Sequence, residues 1–187
     1  MLNIVDENDE VVGEASREDI HRRGLLHREI HVYFITPDKE IIFQRRAKDK
    51  DTFPNMLDAT VGGHVEIGHS YEKTAVKETE EETGLKIDAA DLIPLAKVQS
   101  GSTNESIDDS TDERTGKINN SIKQEYAYIF KGNIKDLKIE KGSGLGFEIY
   151  PINKIVGLSD ADSAEFIPYI LKFCRTELLK FVNNWQF

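Results

Sequence analysis

The sequence contains a single cysteine, Cys174, in 187 residues. One thiol cannot form an intramolecular disulfide or a cysteine cluster for a metal, so both kinds of stabilisation are excluded. Long apolar runs are also missing: the longest covers about Val32–Ile35, whereas a membrane helix needs roughly 20 apolar residues. The first residues are acidic and lack the basic flank and apolar run of a signal peptide. We therefore expect a cytoplasmic protein without a membrane anchor.

Basic residues are in the minority. The chain has 24 Lys and Arg against 34 Asp and Glu, which gives a formal net charge of −10. Such a surface repels a phosphate backbone, so the composition argues against a general nucleic-acid binder. Hydrophobic residues make up 39% and charged residues 31%, a balance typical of globular chains. The length fits one domain, and no internal repeat divides it.

Two segments carry helix signals at both ends. Ser16 precedes a short polar segment that ends at Gly24, and Ser70 precedes residues 71–83, which are followed by Gly84. A serine before a helix accepts hydrogen bonds from free backbone N–H groups, and glycine adopts the left-handed conformation that ends a helix. These signals predict one helix between each pair.

The other regular segments are mostly β-like. Apolar, β-branched and aromatic residues predict strands over 3–5, 11–15, 30–36, 40–44, 58–61, 92–98, 125–130 and 146–150. Apolar side chains at helical spacing predict an amphipathic helix over about 163–183. Strands with one marked helix between them and one at the end indicate a mixed α/β (α+β) sandwich rather than a doubly wound parallel sheet.

Residues 100–121 form a polar segment in which the only large apolar side chains are Ile107 and Ile118. The composition is mostly Ser, Thr, Asn, Asp and Gly, which is typical of a surface loop. A loop of this length is also compatible with a lid that covers a bound substrate. The sequence leaves both interpretations open.

The helix predicted over 71–83 concentrates acids in its last turns, namely Glu78, Glu80, Glu81 and Glu82. Like charges three or four residues apart each cost about 0.2–0.5 kcal/mol, and the helix dipole disfavours anions at this end. Either the acids lie on a solvated face or they bind a cation. Glu78, Glu81 and Glu82 project from one side of the helix. Three oxygen ligands suit Mg²⁺, with Mn²⁺ as the alternative ion.

The segment from Gly63 to Leu85 resembles the signature of the Nudix family of diphosphate hydrolases, G-x5-E-x7-R-E-U-x-E-E-x-G-U, where U is a bulky aliphatic residue. Six positions match at the family's spacing: Gly63, Glu78, Glu81, Glu82, Gly84 and Leu85. The resemblance implies a single Nudix domain over residues 1–187, with an α/β/α sandwich around a mixed central sheet. It also implies hydrolysis of a small-molecule diphosphate linked to a further group X, for example a nucleoside.

The resemblance also implies roles for the acids of this signature, which we call the Nudix box. Glu78, Glu81 and Glu82 would hold Mg²⁺ against the diphosphate oxygens, and one of them would take the proton of the attacking water. Glu125, at the start of a predicted strand, is where such folds often supply a further metal-binding acid. An exposed glutamate at a strand end is the alternative interpretation of Glu125.

Three positions depart from the family's pattern. The family's first glutamate is His69 in this chain, its arginine is Lys77, and its aliphatic residue after Glu78 is Thr79. Lysine lacks the two-pronged donor geometry of arginine, so the support of the metal-binding acids is altered. A second hypothesis follows from these departures: a weakened site that binds nucleotides and acts as a sensing module.

Four short segments are His27-Arg28, Phe43-Gln44-Arg45-Arg46, Phe53-Pro54 and Thr60-Val61-Gly62-Gly63-His64. They resemble the branch of the family that includes isopentenyl-diphosphate isomerase. His27 and His64 fall where that isomerase has metal-binding histidines, although packed or surface histidines are the ordinary interpretation of His27 and His31. Gly62 stands where the isomerase has its catalytic cysteine, and glycine cannot supply an acid or base. Cys174 lies on the apolar face of the predicted terminal helix and is interpreted as a core residue. Isomerase chemistry is therefore the least favoured hypothesis.

Candidate substrate-binding residues lie on both sides of the predicted 58–61 strand. Arg45 and Arg46 follow the 40–44 strand and would clamp phosphate oxygens, or else belong to a salt-bridged loop. Gly62 and Gly63 allow a tight turn that brings backbone N–H groups near an anion, and His64 follows them. The identity of the group X and the oligomeric state are not predicted.

Overall fold

The computed structural model describes residues 1–50, 52–99, 111–112 and 117–185. The strands are β1 (Leu2–Val5), β2 (Val11–Ala15), β3 (His27–Ile35), β4 (Glu40–Arg46), β5 (Leu57–Asp58), β6 (Val61–His64), β7 (Ile93–Gln99), β8 (Thr111–Asp112), β9 (Lys117–Ile118), β10 (Ser121–Ile129) and β11 (Gly144–Pro151). The α-helices are α1 (Arg17–Arg23), α2 (Tyr71–Thr83), α3 (Ile152–Val156), α4 (Asp160–Ser163), α5 (Pro168–Phe173) and α6 (Leu179–Asn184). Short 3₁₀ turns cover Ala89–Asp91 and Ile134–Asp136, and a π-helical turn, Cys174–Leu178, joins α5 to α6.

The main sheet is built around β3. One edge of β3 pairs in parallel with β10 over nine residues, from His27 opposite Ser121 to Ile35 opposite Ile129. Antiparallel partners share the other edge: β6 pairs with residues 29–32 and β4 with residues 34–35. Strands β11 and β7 extend the sheet beyond β4 and β10. A sheet with both orientations confirms the mixed sheet that the sequence predicts.

Alternating side chains of β3 face two separate apolar layers, as the period of two in a strand requires. Ile30, Val32 and Phe34 pack in the layer that contains α2. Tyr33 and Ile35 pack against the carboxyl-terminal helices in the other layer. All five side chains are fully buried, so the sheet lies between two helical layers. The predicted α/β/α sandwich is confirmed.

Two of the predicted helices are confirmed with their caps. Ser16 accepts a hydrogen bond from the Asp19 N–H at the start of α1, and Ser70 accepts one from the Lys73 N–H at the start of α2. Gly24 ends α1 with a φ of 62°, and Gly84 ends α2 with a φ of 70°. These left-handed conformations favour glycine, which explains why the sequence marks both ends clearly.

Several predicted bounds are wrong. Strand β3 begins at His27 rather than at residue 30, and β10 begins at Ser121 rather than at residue 125. The strand predicted over 58–61 is two strands, β5 and β6, because the chain leaves β4 after Asp58 and joins β3 at Val61. The helix predicted over about 163–183 begins at Pro168, whose ring suits the first turn of a helix. It is interrupted by the π-helical turn, and α4 is a separate helix. Helix α3 was not predicted.

The polar segment predicted as a loop over 100–121 lies largely outside the described residues. Its described parts are not all loop: Thr111–Asp112 pairs with Lys117–Ile118, and Ser121 begins β10. The question of a substrate lid falls on residues that the structure does not describe. Across the described part of the chain, every helix is too short or too polar to cross a membrane.

Candidate active site

Helix α2 holds the box acids because its opposite side is buried. Thr74, Ala75, Thr79 and Thr83 are the buried residues of this helix, and Ala75 packs in the layer with Ile30 and Val32. Thr79, which replaces an aliphatic residue of the family, is fully buried. Packing therefore fixes the rotation of α2 and turns Glu78 and Glu82 toward the glycines of β6.

Glu78 lies against Gly63. A Cβ atom on Gly63 would lie 2.7 Å from Glu78 Cγ, closer than real Cβ atoms approach a neighbour. Glycine at this position therefore makes room for the Glu78 side chain. Burial raises the pKa of Glu78, and the nearby Glu81 carboxylate adds to the increase.

Glu82 is the most enclosed of the box acids. Its Oε2 accepts a hydrogen bond from the Gly62 N–H at 3.2 Å and from Gln44 Nε2 at 3.4 Å. Burial raises the pKa of Glu82 to about 8, and the charges of Glu78, Asp58 and Glu140 act in the same direction. Several acids thus converge on a poorly solvated carboxyl group, an arrangement that a cation would relieve.

Glu81 is turned toward Lys77. Lys77 Nζ lies 2.8 Å from Glu81 Oε2 and 3.4 Å from Glu78 Oε1, and it also lies 3.4 Å from Glu66 Oε1. His69 Nδ1 is 3.6 Å from the other oxygen of Glu66. The two residues that replace the family's charged pair therefore meet at Glu66, three residues before the position of the missing glutamate.

The donor set of the box fits Mg²⁺ or Mn²⁺, because its carboxylate oxygens are hard ligands. The three acids do not converge on one point in this structure. Within the described residues, the one group of three ligand side chains whose donor atoms all lie within 4.8 Å of one another consists of His21, His27 and His64. The box acids and the histidine group are therefore two different candidate metal centres.

The histidine cluster, His21, His27 and His64, joins α1, β3 and β6. His21 Nε2 lies 3.1 Å from His64 Nε2, and the rings of His27 and His64 stack with centroids 5.1 Å apart. His21 Nδ1 donates to the Ile118 carbonyl oxygen and His27 Nδ1 to that of Leu25. Such bonds fix the tautomer and leave Nε2 as the acceptor atom that a metal requires.

Burial favours the neutral form of two of these imidazoles, those of His64 and His21. It lowers the pKa of His64 to about 3, and the neighbouring His27 contributes to the decrease. Burial also lowers the pKa of His21. Sequence reasoning missed His21 altogether, since nothing in its local sequence marks it. His27 follows His21 by six residues and His64 follows His27 by thirty-seven, and this spacing matches no local motif.

Glu125 lies on the other face of the sheet from Glu78. It is fully buried in the middle of β10, so the exposed strand-end interpretation is wrong. Its Oε1 accepts hydrogen bonds from Tyr169 Oη at 2.6 Å and His31 Nδ1 at 3.2 Å. Burial alone would lower the pKa of His31, but the Glu125 carboxylate outweighs it and raises this pKa. The structure does not bring Glu125 to the box acids.

The two candidate phosphate-binding arginines are engaged within the chain. Arg45 contacts Glu148 and Glu165, each at 2.7 Å, and Arg46 contacts Asp58 at 2.7 Å. These pairs match the salt-bridged alternative for Arg45 and Arg46. They fasten β4 to β5, to β11 and to the segment before α5.

A cysteine at position 62, as in the isomerase, would be crowded by His31. A Cβ atom there would lie 3.1 Å from His31 Cδ2, which is tighter than most real contacts. The single thiol of the chain, on Cys174, is fully buried, and burial raises its pKa well above the ordinary value. Neither position offers a reactive thiolate to a substrate.

Comparisons with known proteins agree with this geometry. The pattern of the NUDIX domain family matches residues 25–169. The Nudix hydrolase SCO1686 of Streptomyces coelicolor is 46% identical over 84 residues, which are 45% of this chain and 46% of that protein. Matches of this kind span about half the length of the curated relatives.

Solved structures show the same fold. DR0079 of Deinococcus radiodurans superposes with a TM-score of 0.67 and 25% identity, over 90% of this chain and 98% of that one. The NUDIX domain of Shewanella oneidensis NrtR, complexed with ADP ribose, superposes with a TM-score of 0.54 and 14% identity, over 88% and 99% of the two chains. Because the family pattern matches residues 25–169, which are more than half of the chain, the chain belongs to the NUDIX domain family.

Proposed function

We propose that the protein is a Mg²⁺-dependent hydrolase that cleaves the diphosphate linkage of a nucleoside diphosphate or a related X-linked diphosphate. The observation that carries this proposal is the placement of Glu78 and Glu82 against Gly63 and Gly62. Two partly buried carboxylates provide metal ligands where the glycine pair of β6 leaves room for them.

Glu78, Glu81 and Glu82 would hold the ion, with Mn²⁺ as the alternative to Mg²⁺. When bound, the ion supplies Lewis-acid chemistry: it polarises the phosphorus and lowers the pKa of an attacking water. The cation would also lower the pKa of each carboxyl group that it touches, which offsets the effect of burial on Glu82.

The chain's own residues would position the water and accept its proton. Glu82 is our candidate for the base, because two donors fix the position of its carboxylate. The Gly62 N–H and Gln44 Nε2 hold its Oε2 in place. Lys77 holds Glu81.

The histidine cluster supports a second divalent-ion site. Three imidazole nitrogens suit Zn²⁺, Mn²⁺ and related ions better than Mg²⁺. The positions of His27 and His64 agree with the resemblance to the isomerase-like branch, and His21 adds a third nitrogen. Gly62 and the buried Cys174 argue against isomerase chemistry at this site.

The test is product release from a panel of nucleoside diphosphates, dinucleotides, nucleotide sugars, ADP ribose and isopentenyl diphosphate, with and without Mg²⁺. ADP ribose is included because the NrtR domain binds it. We expect metal-dependent release of a phosphate product, reduced roughly 100-fold or more by Glu82→Gln. Glu80→Gln, an exposed acid on the same helix, is the matched control and keeps full activity.

Other outcomes would contradict the proposal. Saturable, metal-dependent binding without product would favour the nucleotide-sensing module, which the replacements at His69 and Lys77 suggest. Conversion of isopentenyl diphosphate to its allylic isomer would favour the isomerase. Equal activity of the Glu82→Gln and wild-type proteins would remove the box from the mechanism.

A further inference from the structure

Glu29 is a buried carboxylate beside the histidine cluster. Its Oε1 lies 3.4 Å from His64 Nε2 and 3.8 Å from His27 Nε2. His27 Nε2 is itself buried and has no hydrogen-bond partner among the described residues. Because His27 Nδ1 donates to the Leu25 carbonyl oxygen, His27 Nε2 and Glu29 Oε1 are both acceptors. A bound cation would satisfy both atoms.

The other oxygen of Glu29 is fixed from the opposite side. Glu29 Oε2 accepts hydrogen bonds from Ser121 Oγ at 2.7 Å and Asn119 Nδ2 at 2.9 Å, and Lys123 Nζ lies at 3.2 Å. Ser121 and Lys123 come from β10, which pairs with β3 next to Glu29. These contacts hold the carboxylate so that Oε1 faces the imidazoles, as outer contacts do around metal ligands.

We propose that Glu29 is the fourth ligand of the divalent-ion site on the histidine cluster, and that the Lys123 ammonium group beside it is a resident cation that lowers the affinity of this site for the ion. The inference rests on the histidine site proposed above. Three imidazoles and one carboxylate make a four-donor set for a transition metal. None of the acids of the Nudix box, Glu78, Glu81 or Glu82, takes part.

The charge of Lys123 affects how tightly this site would bind a metal ion. The side chain is buried, donates to Ser121 Oγ at 2.6 Å and lies over the Tyr169 ring at 5.0 Å. In the ion-free chain Lys123 neutralises Glu29, so the buried carboxylate is not left without a counter-charge. A bound dication brings a second positive charge close to the ammonium group. The repulsion lowers the affinity, because charges interact strongly where water is excluded.

The experiment measures ion affinity of the full chain, stripped of metal with a chelator. Zn²⁺ is titrated in competition with a chromogenic chelator, and Co²⁺ spectra report the number and type of ligands. We expect Glu29→Gln to weaken Zn²⁺ binding roughly 10- to 100-fold and Lys123→Met to strengthen it roughly tenfold. His21→Ala breaks the site. Glu18→Gln and Lys141→Met, both at exposed positions, are matched controls, and each leaves the affinity at the histidines unchanged.

Each result separates the possibilities. If His21→Ala binds Zn²⁺ as tightly as wild type, the histidine site and the inference both fail. If His21→Ala loses binding and Glu29→Gln does not, Glu29 is not a ligand although the histidine site exists. If Lys123→Met leaves the affinity unchanged or lowers it, the resident-cation role fails.

Two further measurements keep the test valid if Glu29→Gln does not fold. Glu29→Asp keeps the charge and withdraws the oxygen from the imidazoles, so weaker binding is again expected. The Co²⁺ spectrum of the wild-type protein needs no substitution and should show four-coordinate nitrogen and oxygen ligation. A six-coordinate spectrum would overturn the proposed ligand set. No substrate is present, so hydrolase activity does not influence these outcomes.

Discussion

Gly63 and Glu78 are in direct contact, and the contact leaves no space for a larger residue. A methyl group on Gly63 would lie 2.7 Å from Glu78 Cγ and 3.1 Å from its Oε2. We therefore expect Gly63→Ala to displace the Glu78 carboxylate and to lower metal-dependent hydrolysis at least roughly tenfold. Gly13→Ala is the control, because a Cβ there meets an ordinary contact of 3.8 Å. Full activity of Gly63→Ala would show that the position of Glu78 does not matter.

Arg45 is expected to stabilise the fold rather than to bind phosphate. Its guanidinium is held by Glu148 and Glu165, and the pKa of Glu148 is lowered chiefly by the hydrogen bond from Arg45. Arg45→Met should lower the free energy of unfolding by about 1–3 kcal/mol in urea titrations and change KM less than about twofold. Arg23→Met, at an exposed site, serves as the control. A raised KM with unchanged stability would instead indicate that Arg45 binds the phosphate oxygens of the substrate.

Asp9 fastens the first hairpin to the domain. Its carboxylate accepts hydrogen bonds from Arg28 Nε at 2.6 Å, Lys97 Nζ at 2.7 Å and Tyr71 Oη at 3.0 Å. Burial alone would raise the pKa of Asp9, but these donors outweigh it and lower the pKa. Asp9→Asn should therefore cost about 1–2 kcal/mol of stability at neutral pH.

The contribution of Asp9 to the stability of the fold should depend on pH. A carboxylate with a lowered folded-state pKa stabilises the fold fully above its ordinary pKa of 3.8 and loses the contribution as pH falls through the lowered value. The stability difference between wild type and Asp9→Asn should be constant from pH 7 to about 5 and shrink toward pH 3. A difference that persists unchanged at pH 3 would mean that the charge of Asp9 is not responsible.

Cys174 should report unfolding. The thiol is fully buried in the layer of the carboxyl-terminal helices, and burial raises its pKa. Alkylation by iodoacetamide should therefore be slow in the native protein and complete in urea. Cys174→Ala should leave hydrolysis intact and lower stability by about 1–2 kcal/mol. Rapid labelling under native conditions would contradict the burial of this helix face.

The sequence predicts those parts of the site that depend on neighbours along the chain. Helix α2 is predicted with its correct ends because Ser70 and Gly84 act locally on the backbone. The resemblance indicates only His27 and His64 of the histidine cluster. His21 is not predicted, since it reaches His64 only after β6 pairs with β3. The burial of Glu125 has the same origin: its register opposite His31 depends on a strand distant in sequence.

The parallel pairing of β3 with β10 also sets the order in which the protein can fold. Residues about 94 apart in the chain, such as His27 and Ser121, must meet before Glu29 acquires its partners from β10. Contacts of such separation form late, because closing the intervening loop costs entropy before it is rewarded. Refolding chains should therefore regain the helical signal of α2 first and the ability to retain Zn²⁺ in the slowest phase.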